Sequence, residues 1–261
     1  MSARAANGDD AMKVGIRAGL LLGLTLAVAP RAMADEFTAA QRAEIVRILR
    51  DALKQDPSIL RDAAEALRAD DGRQQAEAAR AAIAAAADRL VDRADPVAGN
   101  PRGDVTVVEF FDTRCPYCRR LEPAMDALLA QDHGVRLVYK DLPILGPPSV
   151  LGSRALLAAQ AQESRVPGAY EKLRAALMRP NVEQTDDGIR AQAEALGLDW
   201  TRLRRDMDDP AVQARLDRNI ALARGLGIEG TPGLVIGHTL IPGAVETAEL
   251  ERAVAAARAE R

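Results

Sequence analysis

The sequence predicts an α/β fold with a helical block set into its middle, and three observations predict it. Val105–Phe111 is a short apolar run that leads through Cys115-Pro116-Tyr117-Cys118 into a helical pattern, and Val135–Lys140 follows as a second strand. Ser149 to Leu226 reads as nearly unbroken helix. Leu234–Ile236 and Thr239–Ile241 then form a hairpin turning at Gly237-His238, closed by a helix from Glu246 to Ala256.

From the N-terminus, Lys13 and Arg17 precede an apolar run, Ala18–Ala29, broken by Thr25, and Ala32-Met33-Ala34 puts small residues at a cleavage position. Residues 1–34 are therefore expected to be a cleaved export signal, because the run is shorter than the ~20 apolar residues of a membrane span. Met12 is an alternative start. No later stretch is long and apolar enough for a membrane helix, so the mature chain is expected to be soluble.

Residues 35–95 read as a separate helical segment. Thr38-x-x-Gln41 is a capping box, and Ile45, Val46, Ile48, Leu49, Ala52 and Leu53 form a broad apolar stripe behind it. Asp56-Pro57 restarts a helix with Ile59, Leu60, Ala63 and Leu67 on one face. Asp70-Asp71-Gly72 predicts a break, followed by an alanine- and arginine-rich helix from about Gln74 to Val91. Isolated helices of this length are marginal in water, so these pack either on the rest of the chain or on copies of themselves.

Asp95-Pro96 through Asp104 reads as a turn-rich boundary, making 96–261 the second domain. Its first helix, from about Pro116 to Ala130, carries Pro123 as a kink, and Leu142–Pro148 is a loop. The helices inserted at about 149–226 are punctuated by Pro167-Gly168, Pro180-Asn181, Gly197 and Asp209-Pro210. The order β-α-β, helical block, β-β-α is that of a thioredoxin fold with a helical insertion.

Cys115 and Cys118 are the two cysteines of the 261 residues, placed where a buried strand gives way to a helix. A helix N-terminus offers unpaired N–H groups and positive dipole, which stabilise a thiolate at Cys115. Cys115, expected at the more exposed end, is the candidate nucleophile, and Cys118, one turn in, the resolving thiol. A structural bridge across so short a loop would constrain little. A zinc site would need two further ligands, for which the histidines offered are His133 and His238, both read as turn residues. Pro116 suits the first helical turn, and a neutral Tyr117 lends less help to a thiolate than a charged histidine would.

Thr231-Pro232, directly before a strand, is a candidate cis peptide that would leave the Thr231 backbone free to pair with an extended client. Glu109 interrupts an apolar strand, where a carboxylate is costly unless paired or used. It is a candidate acceptor for the Cys118 proton, or a residue turned to a sheet edge, with Lys140 on the neighbouring strand as its expected partner. Trp200 and the arginines 202, 204 and 205 read as helical core and solvated face.

Removing residues 1–34 leaves 31 basic and 36 acidic residues, a net charge of −5, which argues against nucleic acid. Charged content of 28% and hydrophobic content of 48% fit an ordinary globular chain. In an exporting compartment, a lone thiol pair meets disulfides and exchanges with them. A different class of function, Cu(I) held by the soft sulfurs of Cys115 and Cys118, uses the same pair, and a chaperone acting through the N-terminal apolar faces uses neither.

Phe110-Phe111-Asp112, Cys115-Pro116-Tyr117-Cys118, Gly99-Asn100-Pro101, Lys140–Leu145 and Gly230-Thr231-Pro232 together resemble the DsbA-like thiol:disulfide oxidoreductases of the thioredoxin superfamily over about residues 95–260. Phe37 to Leu67 is similar to the leader of the suppressor-of-copper-sensitivity type, ScsC. The resemblance implies a periplasmic enzyme without a bound cofactor. It implies Cys115 as nucleophile, Cys118 as resolving thiol, Thr231-Pro232 as a cis-proline loop and Glu109 as a buried acid. It implies cysteine-containing exported proteins as clients, and a membrane-bound redox partner, either a DsbD- or ScsB-like reductase or a DsbB-like oxidase. In the ScsC type the N-terminal helices can build a homotrimer acting as a disulfide isomerase; without such an oligomer, the alternative is a DsbA-like disulfide oxidase. Tyr117 fits that branch better than the oxidising DsbA proteins, which carry histidine there.

Overall fold

A computed structural model describes residues 37–260, so the export signal expected at 1–34 lies outside the described residues. The chain divides between Arg61 and Asp62 into two compact units.

In the first unit, α1 (Ala39–Gln55) opens on the expected capping box: the Gln41 amide donates to Thr38 Oγ1 at 3.3 Å, and the Thr38 amide donates to Gln41 Oε1 at 2.9 Å. Such a cap contributes ~1 kcal/mol. No residue of α1 is buried, and Ile45, Val46, Ile48 and Leu49 all stand exposed. The first turn of α2 (Ser58–Ala85) starts here, its Ser58 amide donating to Asp56 Oδ1 at 3.0 Å.

The break expected at Asp70-Asp71-Gly72 does not occur, and α2 continues to Ala85. Asp70 is satisfied inside the helix, accepting from Arg73 and Gln74 at 2.8 Å. Gly72 costs the helix ~1 kcal/mol, which the long alanine-rich flank offsets.

In the second unit, α3 (Ala87–Leu90) leads to a five-stranded sheet in the order β1-β3-β2-β4-β5. The strands are β1 (Val97–Gly99), β2 (Val105–Phe111), β3 (Val135–Asp141), β4 (Gly233–Ile236) and β5 (Thr239–Pro242). β2 pairs in parallel with β3 and antiparallel with β4, as a β-α-β unit followed by a hairpin requires. β1 lies where the sequence suggested turn. It pairs antiparallel with β3, and Gly99 ends it at φ 68°, with the Val135 carbonyl 2.8 Å from where a Cβ would sit.

Both sheet faces are covered. α4 (Pro116–Gln131) and α10 (Thr247–Ala259) pack on the face of Val107 and Phe111, together with inserted α5 (Pro147–Gln160) and α6 (Ala169–Leu177). α7 (Asp186–Ala195) and α8 (Trp200–Asp206) complete that layer, with Trp200 packed against it. The face of Val108, Phe110 and Val138 is covered by α9 (Pro210–Gly225) and by Ile83, Ala86 and Leu90 from the end of α2 through α3. No helix among the described residues is long and apolar enough to cross a membrane.

Strand alternation turns Lys140 away from Glu109, contrary to expectation. Its register partner is Phe110, and its Nζ lies 2.6 Å from Asp95 Oδ2, both side chains being less than 5% exposed. Arg215 also reaches Asp95, at 3.3 Å, and donates to the Ala94 carbonyl at 2.6 Å.

The insertion is tied to the end of β3 by a second buried carboxyl. Tyr170 donates to Asp141 Oδ2 at 2.8 Å, while Asp141 Oδ1 has no partner among the described residues. Burial pushes the Asp141 carboxyl up to about 7, against the opposing Tyr170 hydrogen bond. A folded-state value above the unfolded one gives stability that is present at low pH and lost as pH rises toward 7. Asp141→Asn is therefore expected to raise unfolding free energy at pH 8 by on the order of 2 kcal/mol and to change little at pH 4. Urea titrations at both pH values check this, and an equal effect at each would refute it.

Candidate active site

The site is built where β2 hands over to α4. Cys115 is the N-cap of α4, in extended conformation, with Pro116 as its first helical residue. Pro116 lacks the N–H that the first turn would leave unpaired and holds a helical φ. The Cys115 amide donates to the Asp112 carbonyl at 3.0 Å, closing the turn. Asp112 is fully buried: its Oδ1 accepts from the Arg114 amide at 2.8 Å, and its Oδ2 from the amides of Ile144 and Leu145 at 2.9 and 3.0 Å.

Both cysteines are free thiols. Cys115 was expected at the exposed end, yet it is 4% exposed, the surface around it being made by Arg114, Pro116 and Tyr117. Its Sγ donates to the Thr231 carbonyl at 3.1 Å, and the Thr231–Pro232 peptide bond is cis. The two separated motifs thus meet in space. Tyr117, 59% exposed, projects beside them.

Cys118 is fully buried one turn into α4. Burial raises its pKa strongly, and the charge of Glu109 raises it further. Glu109 lies in the central strand rather than at an edge, opposite Tyr139 on β3 and Leu234 on β4. Burial pushes Glu109 up to about 7, with Arg174 pulling the other way. Its Oε1 has no hydrogen-bond partner among the described residues. A carboxyl titrating near 7 beside a buried thiol can take that thiol's proton.

The cation that faces Glu109 is Arg174, from α6 of the insertion, at 3.6 Å. Its guanidinium also bonds Glu122, one turn beyond Cys118 on α4, and lies 4.8 and 4.1 Å from the ring centroids of Phe111 and Tyr139. Sequence reading assigned that role to Lys140 and missed Arg174. A signal was present: Tyr170, Leu173, Arg174 and Leu177 share one buried helical face, so a cation interrupts an apolar stripe. His133 and His238 stay in turns, at the entrance to β3 and between β4 and β5.

A dithiol at the first turn of the helix after the central strand, beside a cis-proline loop, places the chain among thioredoxin-type domains. The DSBA-like thioredoxin domain matches residues 106–255, and the chain belongs to that family. The copper resistance protein ScsC N-terminal domain matches residues 41–78. Proteus mirabilis ScsC in a transitional conformation is 31% identical, with a TM-score of 0.61, over 86% of this chain and 100% of that one. A thioredoxin-like oxidoreductase from Silicibacter pomeroyi is 46% identical, with a TM-score of 0.61, over 64% of this chain and 94% of that one. The thiol:disulfide interchange protein DsbA of Burkholderia cepacia is 26% identical over 62% of this chain and 76% of its own. The chain spans 21% and 24% of the length of two Salinispora relatives named as Na(+)/H(+) antiporters.

Proposed function

We propose that this chain is a periplasmic protein thiol:disulfide oxidoreductase working in the isomerase or reductase direction. The observation that carries it is the Cys115 thiol, 3.1 Å from the Thr231 carbonyl at a helix N-terminus, with Cys118 and Glu109 sealed behind it. The Cys115 thiolate attacks one sulfur of a client disulfide, forming a mixed disulfide and expelling a client thiolate. A client thiol can then attack the mixed disulfide, returning Cys115 and leaving a rearranged client. Alternatively Cys118 gives its proton to Glu109 and attacks Cys115 Sγ, expelling the second client thiolate. That branch passes two electrons to the client and leaves Cys115–Cys118 oxidised, for a membrane-bound reductase to reset.

Two features favour rearrangement. Burial keeps Cys118 as a thiol, so its attacking form is scarce and client thiols gain time to act. Among the described residues Ile45, Val46, Ile48 and Leu49 of α1 stand exposed on its apolar stripe, which suits association of residues 35–95 with copies of themselves, in a homotrimer as in the ScsC type. Several sites would then surround one client.

The test is recovery of activity from scrambled ribonuclease by the reduced protein, beside an Ile45→Lys/Ile48→Lys/Leu49→Lys variant, with mass in solution measured for both. The wild type is expected to self-associate and to isomerise roughly tenfold faster than the variant. A monomeric wild type, or equal rates, would remove the isomerase reading.

A further inference from the structure

A cleft of about 380 Å³ is lined by Arg114, the residue before Cys115, and by Arg119 and Arg179. One wall is the start of α4, and the other is the chain between α6 and α7. They are held together by a buried bond in which Thr113 donates to Gln184 Oε1 at 2.8 Å, while Gln184 Nε2 donates to the Leu177 carbonyl at 3.3 Å.

None of the three arginines has a carboxylate partner among the described residues. Arg114 donates to the Leu145 carbonyl at 2.9 Å and Arg119 to the Arg114 carbonyl at 3.4 Å, both neutral acceptors. Elsewhere in the insertion Arg190, Arg202, Arg204 and Arg205 pair with an acid on or near their own helix, while Arg165 donates to the Gly197 carbonyl. Glu183 is the single carboxylate lining the cleft, so three guanidiniums face one acid in a chain whose overall charge is negative.

We infer that this cleft receives an acidic stretch flanking the cysteine of the protein with which Cys115 exchanges. The inference rests on the exchange function proposed above and adds a client preference to it. Guanidiniums left without carboxylates at the mouth of a reactive site steer and orient opposite charge, with most of the gain in encounter rate. The cleft adjoins the first turn of α4, so acids on the client backbone near its cysteine enter it while the client sulfur meets Cys115.

The test uses the reduced full chain and two synthetic peptides, each a mixed disulfide of one cysteine, flanked by glutamates in one and lysines in the other. Hydroxyethyl disulfide serves as a small neutral reference. At low salt the acidic peptide is expected to react about tenfold faster than the basic one, relative to the reference, and the difference is expected to shrink as salt screens it. Arg119→Gln/Arg179→Gln is expected to remove the preference, and Arg179→Glu to reverse it toward the lysine peptide. Equal peptide rates while the neutral disulfide reacts normally would overturn the inference alone. Failure to exchange with any of the three would overturn the exchange function itself and this inference with it.

Discussion

Arg174→Leu is expected to lower the unfolding free energy by about 3–5 kcal/mol, the cost of removing one member of a buried charge pair. Glu109 is 1% exposed and would be left with neither cation nor hydrogen-bond partner at its Oε1. The two aromatic rings beneath the guanidinium would also lose their cation. The sign with pH is fixed by Glu109, whose pKa is already raised to about 7 by burial and would rise further without Arg174. Stability belonging to a raised carboxyl is present at low pH and lost as pH rises, so the deficit grows between pH 5 and pH 8. Urea unfolding at both values measures it, and a deficit that does not change with pH would show that Arg174 acts through packing alone. Arg174→Lys is expected to recover part of the loss, since it restores charge but not the fork that reaches Glu122.

Asp95→Ala is expected to cost a similar ~3–5 kcal/mol, because it strands the Lys140 ammonium in a site where its side chain is 4% exposed. Arg215 loses its carboxylate in the same step. Adding Lys140→Met is expected to return most of the stability, since a buried pair replaced by apolar atoms is often neutral. Thermal or urea denaturation of the single and double variants decides it: a double variant as unstable as the single would refute the pairing. The same geometry bears on truncation. A chain beginning at Pro96 loses Asp95 together with Ile83, Ala86 and Leu90, all buried on the sheet.

Four of the five strands and the dithiol were legible because each is encoded locally, whereas β1 is held by its pairing with β3. Apolar runs of strand length, a helix entered at Pro116 and a hairpin at Gly237-His238 all lie within a few residues of the signal that marks them. What was not legible depended on pairing across the sequence. Lys140 was matched to Glu109 because the two strands are neighbours, but parallel register puts Lys140 opposite Phe110 and on the other face. Arg174 reaches Glu109 from an inserted helix, and no local pattern brings α6 under β2. The helix break failed for a different reason. Asp70-Asp71-Gly72 carries residues that favour a stop, but Asp70 found partners one turn on, and tertiary burial of Ile83 gives the continued helix something to hold.

Asp112 has a consequence for the thermodynamics of client capture. Its carboxylate accepts three backbone amides, from Arg114, Ile144 and Leu145, so the loop presenting the exposed side chains of Ile144 and Leu145 is fastened to the turn that carries Cys115. A rim ordered before encounter pays no ordering entropy at the moment of binding. Under the exchange function proposed above, a client would meet a stiff apolar lip, with the adaptation left to the client chain.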